Sequence, residues 1–524
     1  MSRSVSESQP YDAVVVGSGF GGAITACRLA EAGRSVRILE RGRRWAPKDF
    51  PRDVEDTDTL FWRHAQDPAA RGLFELRFFS GLGVVAAAGV GGGSLIYANI
   101  HIRPDPIVFD DPRWPESYHR QALDPYYDRV RDKLGIAPVP PEVELAKRQH
   151  YSAAARSHGR PHFDPDQAVA WSDPGEPGRS ACQHCAECEF GCRYGAKNTL
   201  DFNYLRTAEE HGARLDTGCI VRWVEPAGSA GYRVVFEEAA TGRVASVVGK
   251  RVVLAAGTLG TLEILFRSRD EAAGLPELSP RLGYGFSGNG DFLGSLQNAK
   301  VDLKPWHGPD VTTVMRFFDE APHFTLAAPT FNRATMAVLA SLGQTDGRGL
   351  RWLPKSLFRR LESLIPWAFR KGFLSQPVAR RLPGAGPPER MTNLFAIGRD
   401  NAGGRAHWNG RRLDIDWRFA EENTELVAAM ITAMEKVARH YGGTFAPLPT
   451  WSIFQKPLTV HPLGGCNLSA TAETGVVDPT GQVHGYPGLY VADGSVIPTA
   501  IGFHPVMTIS AVAERIAEGL ANAQ

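Results

Sequence analysis

The sequence has 524 residues, a length that predicts two or three packed units rather than a single core. Its 58 Lys and Arg residues balance 57 Asp and Glu residues to a net charge of +1, so charge gives no reason to expect nucleic acid as a partner. The odd count of 7 Cys argues against a disulfide scaffold, and a polar start with no uncharged run of roughly 18 residues predicts a cytoplasmic protein.

The chain begins with the predicted elements of a nucleotide-binding sheet. Apolar patterning indicates a strand, a glycine turn, a helix and a second strand, over 11–16, 17–22, 23–32 and 35–39. Gly17, Gly19 and Gly22 fit G-x-G-x-x-G, which lets a pyrophosphate approach the backbone at the positive end of a helix. Glu40 follows the second strand, where a carboxylate binds an adenosine ribose. These residues predict a dinucleotide site and leave the choice between NAD and FAD open.

The middle of the chain predicts a small sheet and then a second domain. Three β-like runs follow a loop-rich stretch, over 214–224, 232–237 and 244–256. Later the pattern changes to longer strands and one helix, over 394–399, 412–417 and 422–441. The C-terminal part returns to a strand, a glycine turn and a helix, over 488–491, 493–494 and 505–520.

Four cysteines lie close together in the sequence. Cys182, Cys185, Cys188 and Cys192 have the C-x2-C-x2-C-x3-C spacing of a bacterial ferredoxin. Four thiolates so close are costly unless they are oxidised or bind metal. Arg193 follows the last cysteine where the ferredoxin pattern has proline, so the match is incomplete. An iron–sulfur cluster, a zinc site and a reduced thiol loop all remain open.

Taken together, the motifs resemble the glucose–methanol–choline family of flavoenzymes, and most closely its bacterial cholesterol-oxidase-like branch. The matching runs are the first glycine turn with Glu40, GVGGGS, AAGT, HPLGGC and GLYVADGS, over 17–22, 89–94, 255–258, 461–466 and 488–495. The resemblance implies FAD as the cofactor. It also implies further contacts to the flavin, the adenine and the pyrophosphate with its ribityl chain, from Gly93, Ser94, Asn99, Val221, Asp493 and Gly494. The family's asparagine falls nearer Tyr97 than Asn99.

The predicted fold class is therefore α/β. An FAD-binding Rossmann-like domain is assembled from discontinuous segments, over 1–103, 181–282 with the cysteine cluster, and 449–524 with the histidines. A connecting and lid region is predicted over 104–180, and an α+β substrate domain with an antiparallel sheet over 283–448.

Two histidines fall where the family carries its catalytic pair. An alcohol loses a hydride easily only while a base removes its hydroxyl proton, and histidine suits this because its pKa lies near neutrality. We expect His461 to be the base and His504 to orient the substrate oxygen, although the roles could be exchanged. The cholesterol-oxidase branch has asparagine at the second position and uses an acid to isomerise its steroid. No acid stands at 325–329, so we expect a lipophilic alcohol, sterol or otherwise, without isomerisation.

Other functions stay open at this point. The family fold also serves lyases and a decarboxylase that transfer no net electrons, and a metal-binding interaction module around the cysteines is a third reading. An iron–sulfur cluster would pass flavin electrons to a carrier protein, whereas its absence would favour oxygen as the acceptor.

A basic segment over 348–390 holds ten Lys or Arg and two acids, or +8 in a protein of net charge +1. Aromatic and leucine residues alternate with these charges, and Pro354, Pro366 and Pro377 are expected to divide the segment into short helices. Such helices are typical of peripheral membrane contact, and equally of a lid with solvated arginines.

Overall fold

The computed structural model describes residues 9–52, 56–64, 67–330, 353–354, 356–370 and 388–523. Its largest sheet has seven strands, at Tyr11–Val16, Val36–Leu39, Arg214–Asp216, Cys219–Pro226, Tyr232–Glu238, Val244–Leu254 and Leu489–Val491.

Parallel pairing within this sheet brings distant parts of the chain to one edge. The first strand pairs on one side with Val36–Leu39 and on the other with Val244–Leu254, which in turn pairs with Leu489–Val491. All four strands run in the same direction, so their carboxyl ends meet at one edge of the sheet. The glycine turn, Glu40, the 255–258 run and Asp493 each follow one of these ends.

Helices pack against this sheet. Phe20–Glu31 is almost wholly buried because it packs against the C-terminal helix Val506–Asn522 and against Tyr204–Glu210. Gly257–Asp270 packs against the strand Cys219–Pro226. The other described helices are Thr57–Leu60, Arg120–Leu134, Ala146–Ser157, Ser356–Arg370, Phe419–Glu422, Thr424–His440 and Pro449–Phe454.

A second sheet takes five of its six strands from the predicted substrate domain and one from the predicted connecting region. Its six strands are all antiparallel, in the order Thr444–Pro447, Phe292–Gln297, Thr392–Gly398, Phe324–Ala327, Val314–Phe317 and His162–Phe163. The helix Thr424–His440 packs on it with a face of buried apolar side chains. The α/β class with an antiparallel second sheet is confirmed, while the exact domain boundaries stay predictions. Smaller sheets contain the strands Trp62–His64, Asp67–Arg71, Phe74–Phe78, Gly83–Ala87, Ile100–His101, Asp166–Gln167, Tyr284–Phe286, Gly404–Trp408, Leu413–Asp416 and Leu458–Thr459.

The basic segment corrects one prediction. Ser356–Arg370 is a single helix of 15 residues that continues through Pro366, so the expected break at that proline is wrong. A proline removes one backbone hydrogen bond. Apolar packing offsets this loss, because the buried Phe358 ring meets Phe78 and Phe454 edge-on at 5.1 and 5.5 Å. Pro377 and much of the remaining segment lie outside the described residues, and no described helix is long and apolar enough to cross a membrane.

Candidate active site

The three glycines of the first turn have different structural tasks. A Cβ at Gly17 would overlap the Ala255 carbonyl, and one at Gly22 would overlap the carbonyl of Gly17. Gly19, in contrast, has φ −69° and would place a Cβ no nearer than 3.9 Å to any other residue's atoms, with Gly92 Cα the closest. The outer two glycines therefore permit chain packing, and Gly19 faces open space at the start of a helix.

Glu40 stabilises the first glycine turn through hydrogen bonds to its carboxylate. Its buried carboxylate accepts hydrogen bonds from the hydroxyl of Ser18 at 2.6 Å, from the backbone N–H of Ser18 at 3.1 Å and from that of Gly42 at 2.8 Å. The backbone N–H of Cys219 donates to the carbonyl of Glu40 at 2.8 Å. This bond brings the strand that contains Val221 to the same edge, and the strand register shifts next to Val221.

The second glycine cluster lies directly against the first. A Cβ at Gly92 would fall 2.7 Å from Gly19 Cα, whereas one at Gly93 would meet nothing within 4 Å. Ser94 is buried and its hydroxyl donates to the Gly91 carbonyl at 2.8 Å. Asn99 has a left-handed backbone with φ +66°, is fully buried, and has no hydrogen-bond partner for either amide atom among the described residues. Because an unpaired buried amide is costly, this side chain fits a ligand that supplies the missing partners.

The C-terminal glycine turn closes the same edge. The Asp493 carboxylate accepts from the Thr261 hydroxyl at 2.6 Å and from the Ser495 N–H at 2.9 Å, and burial raises its pKa. Gly494 is buried beside Thr258. The structure thus brings the predicted dinucleotide residues together, and the open space at Gly19 and Gly93 together with the unpaired Asn99 amide fits a flavin dinucleotide.

His461 and His504 are neighbours where this edge meets the second sheet. Their ring centroids are 5.3 Å apart with the planes at 76°. Phe395, from the strand Thr392–Gly398, stacks on His461 at 5.6 Å and meets His504 edge-on at 6.0 Å. The two histidines of the predicted pair therefore lie next to each other, and the Phe395 ring contacts both imidazoles.

The two histidines have different surroundings. His461 Nδ1 lies 2.8 Å from the Asp291 carboxylate, and its side chain is 14% exposed. His504 is buried, which lowers its pKa well below the usual range, with smaller contributions from His461 and His101. Its Nδ1 has no partner in the described part of the chain. Each imidazole thus has a ring nitrogen that the described chain leaves available.

Three residues of this site were missed by the sequence prediction. They are Asp291, Phe395 and His101, whose burial lowers its pKa to about 3 and whose Nε2 lies 3.3 Å from the Tyr97 hydroxyl. Asp291 sits in the run Gly-Asn-Gly-Asp just before a strand, and an acid that follows a glycine turn was the only local signal. His101 and Phe395 are far from the pair in the sequence and become its neighbours only in the folded chain.

The four cysteines give the metal prediction no support. The Cys188 thiol has a pKa raised by burial, and all seven cysteines of the chain are free thiols. Within the described residues, which include all of 182–192, no three His, Cys, Asp or Glu side chains form a group that could hold a metal ion. The cysteine loop is instead held by Lys197, whose ammonium donates to the carbonyls of Cys188, Tyr97 and Leu95 at 2.7, 2.8 and 3.1 Å.

Comparison with known proteins agrees with this site. Two models of the family described as GMC oxidoreductase match residues 80–275 and 402–513, and a model described as an NAD(P)-binding Rossmann-like domain matches 15–47. The chain is 30% identical to a cholesterol oxidase of Acinetobacter baumannii, over 96% of this chain and 93% of that protein. It is 24% identical to a long-chain-alcohol oxidase of Arabidopsis thaliana, over 96% of this chain and 66% of that protein.

A solved structure has the same fold. The pyridoxine 4-oxidase from Mesorbium loti aligns with a TM-score of 0.65 at 17% identity, over 97% of this chain and 99% of that one. The chain therefore belongs to the GMC oxidoreductase family, in its cholesterol-oxidase-like branch, and is an FAD-dependent oxidoreductase that acts on CH–OH donors.

Proposed function

We propose that the protein oxidises a lipophilic alcohol to an aldehyde or ketone, with His461 as the base and His504 as the group that orients the hydroxyl. The observation that carries this proposal is the imidazole pair at 5.3 Å, each ring with an available nitrogen. FAD, when bound, supplies the acceptor for the hydride.

The contacts of each histidine support its role. Because His461 donates from Nδ1 to Asp291, its Nε2 is the nitrogen left to take the hydroxyl proton. Burial keeps His504 neutral, so one of its nitrogens donates and the other accepts. A neutral His504 suits a group that holds the substrate oxygen by hydrogen bonds and adds no second positive charge when His461 is protonated.

Two observations support a lipophilic substrate. The named relatives are oxidases of cholesterol and of long-chain alcohols. An aromatic ring lies against the pair, since Phe395 contacts both histidines. The strand Phe324–Ala327 carries no acid, and Thr325 donates to the Gly502 carbonyl at 2.9 Å, so steroid isomerisation is not part of the proposal. We propose oxygen as the electron acceptor, because the relatives are named oxidases.

Anaerobic bleaching of the flavin tests the alcohol reaction. Cholesterol, dodecanol and benzyl alcohol are mixed with the holoenzyme, and at least one is expected to remove the flavin absorbance. His461→Ala and His504→Ala should retain flavin and slow its reduction by at least about 100-fold. A wild-type flavin that stays oxidised with every alcohol overturns the proposal and favours the lyase or decarboxylase alternative.

We also propose peripheral membrane contact through the helix Ser356–Arg370. Trp367 and Leu364 are 42% and 38% exposed on it, and Arg359 and Arg370 lie on the same helix. Sedimentation with anionic vesicles should show binding that weakens as salt rises and that falls when Trp367 is replaced by alanine. Protein that stays in the supernatant at low salt contradicts this proposal.

A further inference from the structure

A buried carboxylate from the second sheet stands behind His461. Asp291 precedes the strand Phe292–Gln297, and its side chain is completely inaccessible to solvent. One carboxylate oxygen, Oδ1, faces His461 Nδ1 at 2.8 Å. The hydrogen bond therefore spans the predicted substrate domain and the C-terminal part of the flavin domain.

The other oxygen of Asp291 is fixed by donors from the chain that leads to His461. Oδ2 accepts from the Thr459 hydroxyl at 2.8 Å and from the Val460 N–H at 2.9 Å. The Thr459 oxygen in turn accepts from the His461 N–H at 2.9 Å. Asp291 thus holds the imidazole of His461 directly and the backbone N–H of His461 through Thr459.

This contact determines which ring nitrogen carries the proton. A carboxylate can only accept, so Nδ1 of a neutral His461 must hold its hydrogen and Nε2 must expose a lone pair. When Nε2 takes the hydroxyl proton, the ring becomes positive next to the carboxylate, which stabilises that charge. Two other titratable groups lie near this contact. His504 meets the His461 ring edge-on, and Asp400 is close enough to Asp291 that the charge of Asp291 raises the pKa of Asp400.

We propose that Asp291 is a positioning residue, which selects the Nδ1–H tautomer of His461 and so makes Nε2 the base. The proposal rests on the proposed alcohol oxidation. Asp291 acts only through His461 and is not itself a catalytic residue.

Asp291→Asn is a sharp test because the surroundings fix the orientation of the new amide. The Val460 N–H can only donate and requires an acceptor at the Oδ2 position, whereas the Thr459 hydroxyl can turn to the Gly288 carbonyl at 2.9 Å. The amide oxygen must therefore lie at the Oδ2 position. The amide NH2 then points at His461 Nδ1 and forces it to accept. The proton moves to Nε2, and the base is blocked while the size of the side chain is unchanged.

Two measurements follow, with a matched control. Asp414→Asn replaces another buried aspartate, which accepts from the Ser80 N–H and hydroxyl, both at 2.8 Å. In 15N-histidine-labelled protein, the His461 signal, assigned with His461→Gln, should report Nδ1–H in wild type and in Asp414→Asn, and Nε2–H in Asp291→Asn. Anaerobic flavin reduction should slow about 100- to 10,000-fold in Asp291→Asn and should stay at the wild-type rate in Asp414→Asn.

The outcomes separate this inference from the proposed function. A wild-type His461 protonated on Nε2 overturns the positioning role, even if the variant does not fold. Normal reduction in Asp291→Asn with slow reduction in His461→Ala also overturns it. Normal reduction in His461→Ala overturns the proposed base instead, and the tautomer spectrum still decides what Asp291 does. If Asp291 had only a structural role, Asp291→Asn would slow flavin reduction by the same factor at every pH. If the base is blocked, the rate of flavin reduction in Asp291→Asn should rise steadily with hydroxide concentration, because hydroxide then removes the hydroxyl proton.

Discussion

At the scale of single residues, Gly19 is a position where a substitution should affect cofactor binding without affecting folding. Alanine fits its φ of −69° and meets no atom of another residue closer than 3.9 Å, so Gly19→Ala should fold normally and lose FAD because its methyl fills the space needed by the pyrophosphate. Gly17→Ala should instead lower stability, since φ +96° and the Ala255 carbonyl oppose a side chain. Flavin content and thermal unfolding of the apoproteins measure both effects. A Gly19→Ala protein with full flavin would contradict the placement.

Asp400 gives a prediction about pH. Burial raises its pKa to about 6, against hydrogen bonds from Ala402, Ser287 and Gly290 that lower it. A group with a raised pKa in the folded chain stabilises below its unfolded pKa, and this contribution is lost as pH rises through the folded value. As pH rises from about 4 to about 7, deprotonation of Asp400 should lower the free energy of unfolding by about 3 kcal/mol. Asp400→Asn should lack that loss, and denaturant unfolding across this range measures it. Identical pH dependence in both proteins refutes the assignment.

Residues of the site were predictable to the extent that their signal was local. Gly17, Gly19, Gly22 and Glu40 form one short motif, and the structure brings them together as predicted. Asp291 and His101 were missed because their importance depends on which strands pair, and single-sequence spacing does not report that.

At the scale of elements, Lys197 joins the cysteine loop to the segment that is predicted to line the flavin. It is buried, and three carbonyls accept from its ammonium. Lys197→Met leaves these acceptors unpaired, at a cost of about 1–3 kcal/mol for each one that water cannot reach. We expect a lower melting temperature and weaker flavin retention.

Cys188→Ser is the matched control for that variant, since it keeps the carbonyl that Lys197 binds. It should behave like wild type if the thiols hold no metal. Iron and acid-labile sulfide in anaerobically purified protein, lost in Cys188→Ser, would restore the iron–sulfur prediction.

The helical elements show why patterns succeed or fail. Thr424–His440 was predicted closely because its apolar residues recur at helical spacing on one buried face. Pro366 was expected to break a helix, and the packing of Phe358 against two distant aromatic rings outweighed that local preference. The cytoplasmic location remains a prediction.

At the scale of the whole molecule, Glu514 connects three distant segments. From the C-terminal helix, its buried carboxylate accepts two hydrogen bonds from Arg28 at 2.8 Å and one from Tyr204 at 2.6 Å. Glu514→Ala leaves Arg28 without its buried partner and should lower the free energy of unfolding by about 3–5 kcal/mol. Glu518→Ala, one turn later and 37% exposed, should cost less than about 1 kcal/mol. Urea unfolding of the apoproteins compares them, and equal losses would contradict the prediction.

The central sheet also has a consequence for synthesis on the ribosome. The strand Val244–Leu254 pairs with Tyr11–Val16, which precedes it in the chain, and through 252–254 with Leu489–Val491, which follows it only after all strands of the second sheet have been made. On this edge 244–249 pair early with Tyr232–Glu238, whereas the apolar residues 252–254 stay unpaired until the chain up to 491 has been translated. Such an edge readily pairs with a strand of another molecule. The nascent chain is thus most prone to aggregation before Leu489–Val491 leaves the ribosome, and this is the interval in which a chaperone would protect it most.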